Sequence, residues 1–172
     1  MLPEELKKLI GMTGDVTVYE VEKGAISRFA DAVDDANPVF HDTEYARNSR
    51  FGSIVAPPGF FGWPRQQTRN SPLNVDIPTE LMSAFEHAGY PLSFALDGAV
   101  KFEFFEPVHA GDILNARTTV RSLRERTSNG RSIIVCILET TYHNQSGTLV
   151  ATQQSTFVRG SSGIQQEGSD NV

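Results

Sequence analysis

The stretch Val100-Lys101-Phe102-Glu103-Phe104-Phe105-Glu106-Pro107-Val108-His109-Ala110-Gly111-Asp112 decides how the second half of this chain folds. Val100, Phe102 and Phe104 alternate with Lys101 and Glu103, the period of two that marks a half-buried strand over residues 99–106. His109-Ala110-Gly111-Asp112 is a turn signal. Beyond it the alternation resumes, with Leu114, Ala116, Thr118 and Val120 set against mostly polar neighbours over residues 112–124. Residues 132–142 form a β-branched run, and residues 149–158 read as a last strand. Ser128-Asn129-Gly130 and Gln145-Ser146-Gly147 separate these runs. Four strands joined by turns predict an antiparallel meander.

The first half differs in kind. Leu6, Leu9 and Ile10 suggest a short helix that stops near Gly11, and residues 16–21 alternate as a strand. Ile26, Phe29, Ala30 and Val33 stand at i, i+3, i+4 and i+7, so they share one apolar helical face. Residues 64–78 are polar and rich in Pro and Asn, which predicts a loop. Leu81, Met82 and Phe85 predict a helix over residues 80–87, closed by Gly89 and Pro91. Helices gathered early and strands gathered late indicate an α+β fold, a long antiparallel sheet curled over a helix. Its open edges predict pairing with a second subunit.

Composition narrows the function. The chain has 172 residues, 39% hydrophobic and 21% charged, enough for one domain with a sizeable core. A net charge of -6 and the lack of a basic aromatic stripe argue against nucleic acid or an anionic membrane as partner. The single cysteine, Cys136, lies in an apolar run, which fits a reducing, cytoplasmic compartment and a buried small hydrophobe. The N-terminus lacks the apolar core of a signal peptide. Residues 160–172 are rich in Gly, Ser, Gln and Asp and read as a disordered tail, leaving residues 1–159 as the folded domain.

Proton-handling groups concentrate in Asp34-Asp35-Ala36-Asn37-Pro38-Val39-Phe40-His41-Asp42. Pro38 disfavours helical geometry at Asn37, so the preceding helix is expected to end here and leave a polar turn. Such side chains either do chemistry or bond to nearby backbone as turn residues, and the residues alone leave both open. Downstream, Ile54-Val55-Ala56-Pro57-Pro58-Gly59-Phe60-Phe61-Gly62-Trp63 brings two prolines and a permissive glycine ahead of an aromatic cluster.

The segment from Asp35 to Asp42 resembles the hydratase motif of MaoC-like, hot-dog-fold dehydratases, which include R-specific enoyl-CoA hydratases. Residues 54–60 look like the loop entering that family's central helix. Residues 102–112 look like its strand-turn-strand signature, and Tyr142-His143-Asn144-Gln145-Ser146-Gly147 with Val150-Ala151 resembles its last hairpin. The closest likeness is to the N-terminal MaoC-like dehydratase subfamily, which includes subunits of two-component acyl dehydratases. This resemblance implies a single hot-dog fold, a curled sheet wrapped around a central helix. It also implies reversible addition of water to a 2-enoyl thioester, with no cofactor beyond the coenzyme A or acyl carrier of the substrate.

Carried over by position, Asp35 and His41 become the pair that holds the water, with Asn37 orienting it. Backbone N–H groups near Gly59, at a helix start, would stabilise the enolate oxygen. Pro58, Phe60 and Trp63 would line the acyl site, though core packing is the default for such aromatics. Arg47 and Arg50, with Arg65 and Arg69, would meet coenzyme A phosphates or form a solvated basic face. His87, His109 and His143 read as structural or solvated, and no metal-ligand spacing is present. One departure stands out. The family motif places histidine two residues after proline, whereas here Phe40 takes that slot and His41 follows. In an extended segment this turns His41 away from Asp35, and a bulge or turn would bring it back. Three roles remain: a hydro-lyase, a non-catalytic tunnel-forming subunit paired with another hot-dog chain, and a hot-dog thioesterase. The Asn-Pro-centred motif disfavours the thioesterase.

Overall fold

The computed structural model describes residues 1–64, 79–91, 95–128 and 130–161. The order of elements is α1 (Glu4–Lys7), β1 (Thr13–Glu20), α2 (Lys23–Ala32), a 3-10 turn (Pro38–Phe40), α3 (Thr43–Asn48), β2 (Trp63–Pro64), α4 (Thr79–His87), β3 (Ala95–Phe104), β4 (Ile113–Ser128), β5 (Arg131–His143) and β6 (Leu149–Gly160). The strands form one antiparallel sheet in the order β2-β1-β4-β5-β6-β3. The fold is α+β, a curled antiparallel sheet carrying its helices on one face.

The expected four-strand meander is realised only for β4, β5 and β6. β3 does not pair with β4; it crosses to the far edge and pairs with β6, from Ala95 opposite Arg159 to Phe104 opposite Ala151. The crossover is held by residues 54–56. Val55 bridges His109, Ala56 N–H donates to the Val108 carbonyl (2.7 Å) and Ala110 N–H to the Ile54 carbonyl (2.9 Å). A local turn signal could not reveal this, because the bonds come from a segment far away in sequence. β6 runs to Gly160, the first residue of the expected 160–172 tail; residues 162–172 of that tail lie outside the described residues, as do residues 65–78 of the expected loop.

The core has two parts on one sheet face. α2 places Ile26 and Ala30 against Leu114 and Ala116 of β4, Tyr142 of β5, and Val150 and Ala151 of β6. α4 places Leu81 and Phe85 against Val120, Leu123, Ile134, Cys136, Leu138 and Phe157. Burying a side chain of this size contributes about 1.5–3 kcal/mol. Between the two parts stand Thr118 and Thr140, opposite in register, buried, with hydroxyls 2.9 Å apart. Each satisfies the other, as a buried polar group must. Ladder irregularities, among them one between Val120 and Ser122, bend the long strands around the helices.

Two expected burials fail. Val33 is 56% exposed, because α2 ends before reaching it. β3 is exposed on both faces except at Phe102, since it is an edge strand reaching past the helices. Arg159 of β6 is buried beneath α4, with Nη2 on Met82 Sδ (2.9 Å) and Glu86 3.8 Å from Nη1. Among the described residues no helix is long and apolar enough to cross a membrane.

Gly62 has φ +86°, and a Cβ there would lie 2.3 Å from the Glu20 carbonyl oxygen. Gly62→Ala is therefore expected to lower stability by about 2 kcal/mol or more in urea denaturation. Cys136 is fully buried and burial pushes its thiol well above the usual range, so it is inert in the fold. A thiol-reactive dye is expected to find no accessible thiol in the native chain and one after unfolding.

Candidate functional site

Helix α2 ends without help from Pro38. Val33 caps it, Asp34 takes a left-handed conformation (φ 57°), and Asp35 follows. Asp34 N–H donates to the Asp31 carbonyl (3.2 Å) and Asp35 N–H to the Ala30 carbonyl (2.9 Å). This double closure normally uses glycine at the left-handed position; a short polar aspartate tolerates it. The sequence reading placed the stop near Pro38, whereas that proline opens the 3-10 turn instead.

The polar side chains that follow are occupied in shaping the backbone. Asp35 Oδ1 accepts from Asn37 N–H (3.1 Å), and Asn37 Oδ1 accepts from Val39 N–H (3.2 Å). Asp42 Oδ1 accepts from Glu44 and Tyr45 N–H (2.8 and 3.0 Å) and so opens α3. Phe40 turns into the core at 7% exposure, while the His41 side chain is 26% exposed. Residues 38–40 are a tight helical turn, so neighbouring side chains diverge by about a third of a turn rather than reversing as they would in a strand.

His41 therefore folds back onto α2. Its Nε2 lies 3.0 Å from the Asp35 backbone carbonyl, which can only accept, so Nε2 carries a proton. In the neutral ring Nδ1 then accepts from Ser27 Oγ at 2.9 Å. Asp31 Oδ1 is 3.9 Å from Nδ1. Among the described residues, the carboxylate within ion-pair reach of His41 is thus Asp31 rather than Asp35. Ser27 and Asp31 were missed in the sequence; their i, i+4 spacing places them on one face of α2, but nothing local said what that face meets.

Residues 57–60 form a turn, closed by Phe60 N–H to the Pro57 carbonyl (3.0 Å), with Gly59 at φ +91°. Pro58 and Gly59 occupy the two central positions that favour those residues in a type II turn. Gly59 is therefore a turn residue and not the first residue of a helix; the next described helix is α4. Phe60 packs on Phe29 of α2 (5.0 Å between ring centroids) and on Trp63 (6.0 Å), which is 53% exposed. Phe61 points the other way and stacks on Tyr142 (4.1 Å). Phe40, Phe60 and Phe61 belong to one core cluster, so the histidine turn and the glycine turn rest on the same support. Arg47 lies exposed in the last turn of α3, and Arg50 sits 4.7 Å over the Phe51 ring. Arg65 and Arg69 lie outside the described residues. His109 is held by Ser53 Oγ (2.7 Å) at the crossover, a structural role. No cluster of three metal-ligating side chains occurs among the described residues.

Residues 8–153 match the model of the FAS1-like dehydratase domain region. A UPF0336 protein of Parafrankia sp. (strain EAN1pec) is 32% identical, with 85% of this chain and 87% of that protein covered. A probable enoyl-CoA hydratase alpha subunit of Thermomonospora curvata is 29% identical over 78% of this chain and 43% of its own length. Among solved structures, the HadBC (3R-hydroxyacyl-ACP dehydratase) complex of Mycobacterium tuberculosis superposes with a TM-score of 0.61 at 25% identity. It covers 87% of this chain and 96% of the matched one.

The site geometry makes two expectations. Nitrogen NMR of the neutral imidazole should report His41 protonated at Nε2. Ser27→Ala should cost about 1 kcal/mol of stability in urea denaturation, the worth of one hydrogen bond.

Proposed function

Since the chain belongs to the FAS1-like dehydratase domain family and has the MaoC-like hot-dog fold, we propose that it serves the reversible hydration of a 2-enoyl thioester as a tunnel-forming subunit. In this reading a second, different hot-dog chain supplies the competent water-holding pair. Hydration places the oxygen of water on Cβ and a proton on Cα, and dehydration reverses both. It needs a carboxylate and an imidazole that share one water.

The observation that carries the reading is the engagement of His41. Both ring nitrogens have partners on α2 and at its end, and the Asp35 carboxylate is turned to the Asn37 N–H. Relatives and neighbours described as an alpha subunit and as a two-chain dehydratase complex lend support. Gly59, Pro58, Phe60 and Trp63 are then the proposed acyl contacts. Arg47 and Arg50 are the proposed contacts for the phosphates of coenzyme A or an acyl carrier.

The autonomous hydro-lyase is the second reading, because Asp35, Asn37 and His41 do gather on one turn. A small rotation of the imidazole away from the Asp35 carbonyl would free Nε2. The two readings separate in one assay, loss of enoyl absorbance from a short 2-enoyl-CoA. The purified chain alone is expected to show no hydration above background. Robust turnover that falls at least about 100-fold in both Asp35→Asn and His41→Ala would establish the autonomous enzyme instead.

A further inference from the structure

We infer that Met82 is a peroxide-oxidation site whose sulfoxide the fold accepts, held by the buried guanidinium of Arg159 beneath α4. Phe157 and Arg159 share the inward face of β6, so a cation stands beside the second core cluster, where an apolar side chain would be usual. The Arg159 side chain is 2% exposed. Met82, Phe85 and Glu86, spaced i, i+3 and i+4, present one face of α4 to it.

That face satisfies the cation poorly. Phe85 offers its ring, 5.3 Å from the guanidinium carbon. Glu86 Oε1 is 3.8 Å from Nη1, outside hydrogen-bond reach. Nη2 donates to Met82 Sδ (2.9 Å), and a thioether is a weak acceptor. Nη1 has no hydrogen-bond acceptor among the described residues. A buried charge without good hydrogen bonds is costly. The site lacks one strong oxygen acceptor, and oxidation of the sulfur already in contact supplies it.

The oxidant is a peroxide. A lone pair of Sδ attacks one peroxide oxygen, the S–O bond forms and the O–O bond breaks. The sulfur gives up two electrons, and the proton of the transferred hydroxyl passes to the departing oxygen, which leaves as water. A thioether sulfur has two lone pairs, so the one facing Arg159 leaves the other for attack. Met82 is only partly buried, whereas Cys136 of β5 is fully buried and shielded from the oxidant. The methionine side chain has three rotatable bonds, enough to turn the new oxygen to the guanidinium with little movement of the helix. A sulfoxide oxygen ordinarily disrupts packing; here a buried donor receives it. Oxidation thus fastens α4 to β6, and reduction of the sulfoxide releases it.

The test is urea denaturation of the full chain before and after hydrogen peroxide, with oxidised residues identified by peptide mass spectrometry. Met82 is expected to be oxidised in the native chain. The wild type should then gain about tenfold in folding equilibrium constant relative to Met82→Leu, each taken against its untreated form. Met1 and Met12 are present in both chains and cancel. Met82→Gln, which puts an amide oxygen near the sulfur position, should reproduce the gain without peroxide. In Arg159→Leu, where the cation is replaced by an apolar side chain, peroxide and Met82→Gln should each lower the constant about fivefold, because the oxygen finds no donor. If Arg159→Leu does not fold, the wild-type and Met82→Leu arms decide the matter. A Met82 left as thioether while the exposed Met1 is oxidised, a treated wild type that gains nothing over treated Met82→Leu, or the same response to Met82→Gln with and without Arg159 would each overturn the inference. None of these outcomes depends on whether the chain hydrates a thioester.

Discussion

One buried face of the sheet governs everything else in this molecule. β4 and β5 are long, and their alternation gives a continuous inward row from Leu114 to Leu123 and from Ile134 to Tyr142. That row must be covered, and α2 and α4 cover it side by side, divided by the Thr118–Thr140 pair. The position of α2 fixes where its C-terminal end emerges, and with it the turn that bears Asp35, Asn37 and His41. The crossover at residues 105–112, clamped by residues 54–56, is the second consequence. It closes the first core cluster with Val108 and leaves β3 as the edge.

The histidine turn illustrates how backbone requirements claim functional-looking side chains. Asp35 and Asn37 each accept from one backbone N–H, and Asp42 accepts from two. A helix end, a 3-10 turn and a new helix start follow in close succession, so orphan donors are dense and local acceptors are needed. The 3-10 turn of residues 38–40 then directs the imidazole toward α2, where Ser27 and the Asp35 carbonyl hold it. The Asp35 carboxylate faces the Asn37 N–H, and the His41 ring meets the Asp35 backbone carbonyl rather than that carboxylate.

The aromatic pair at residues 60 and 61 links the turn to the sheet. Phe60 faces α2 and Phe61 faces Tyr142, so the segment after Gly59 is wedged between helix and strands. Such wedging gives the glycine turn a firm base in the core.

By itself, the sequence determined most of the elements and, apart from Val33 and β3, their buried sides. The period-two runs of β4, β5 and β6, the helical spacing of Ile26 with Ala30 and of Leu81 with Phe85, and the turn dipeptides are local signals. Local signals are enough because each element's periodicity follows from its own geometry. The MaoC-like resemblance was likewise legible, in four pieces spread along the chain. Only the tertiary structure decided which strand neighbours which, why Val33 is exposed, and which partners His41 takes. Those outcomes rest on contacts between residues distant in sequence: residues 54–56 with residues 108–110, β3 with β6, and His41 with Ser27. No periodicity encodes such contacts, because they depend on how far one packed face displaces another.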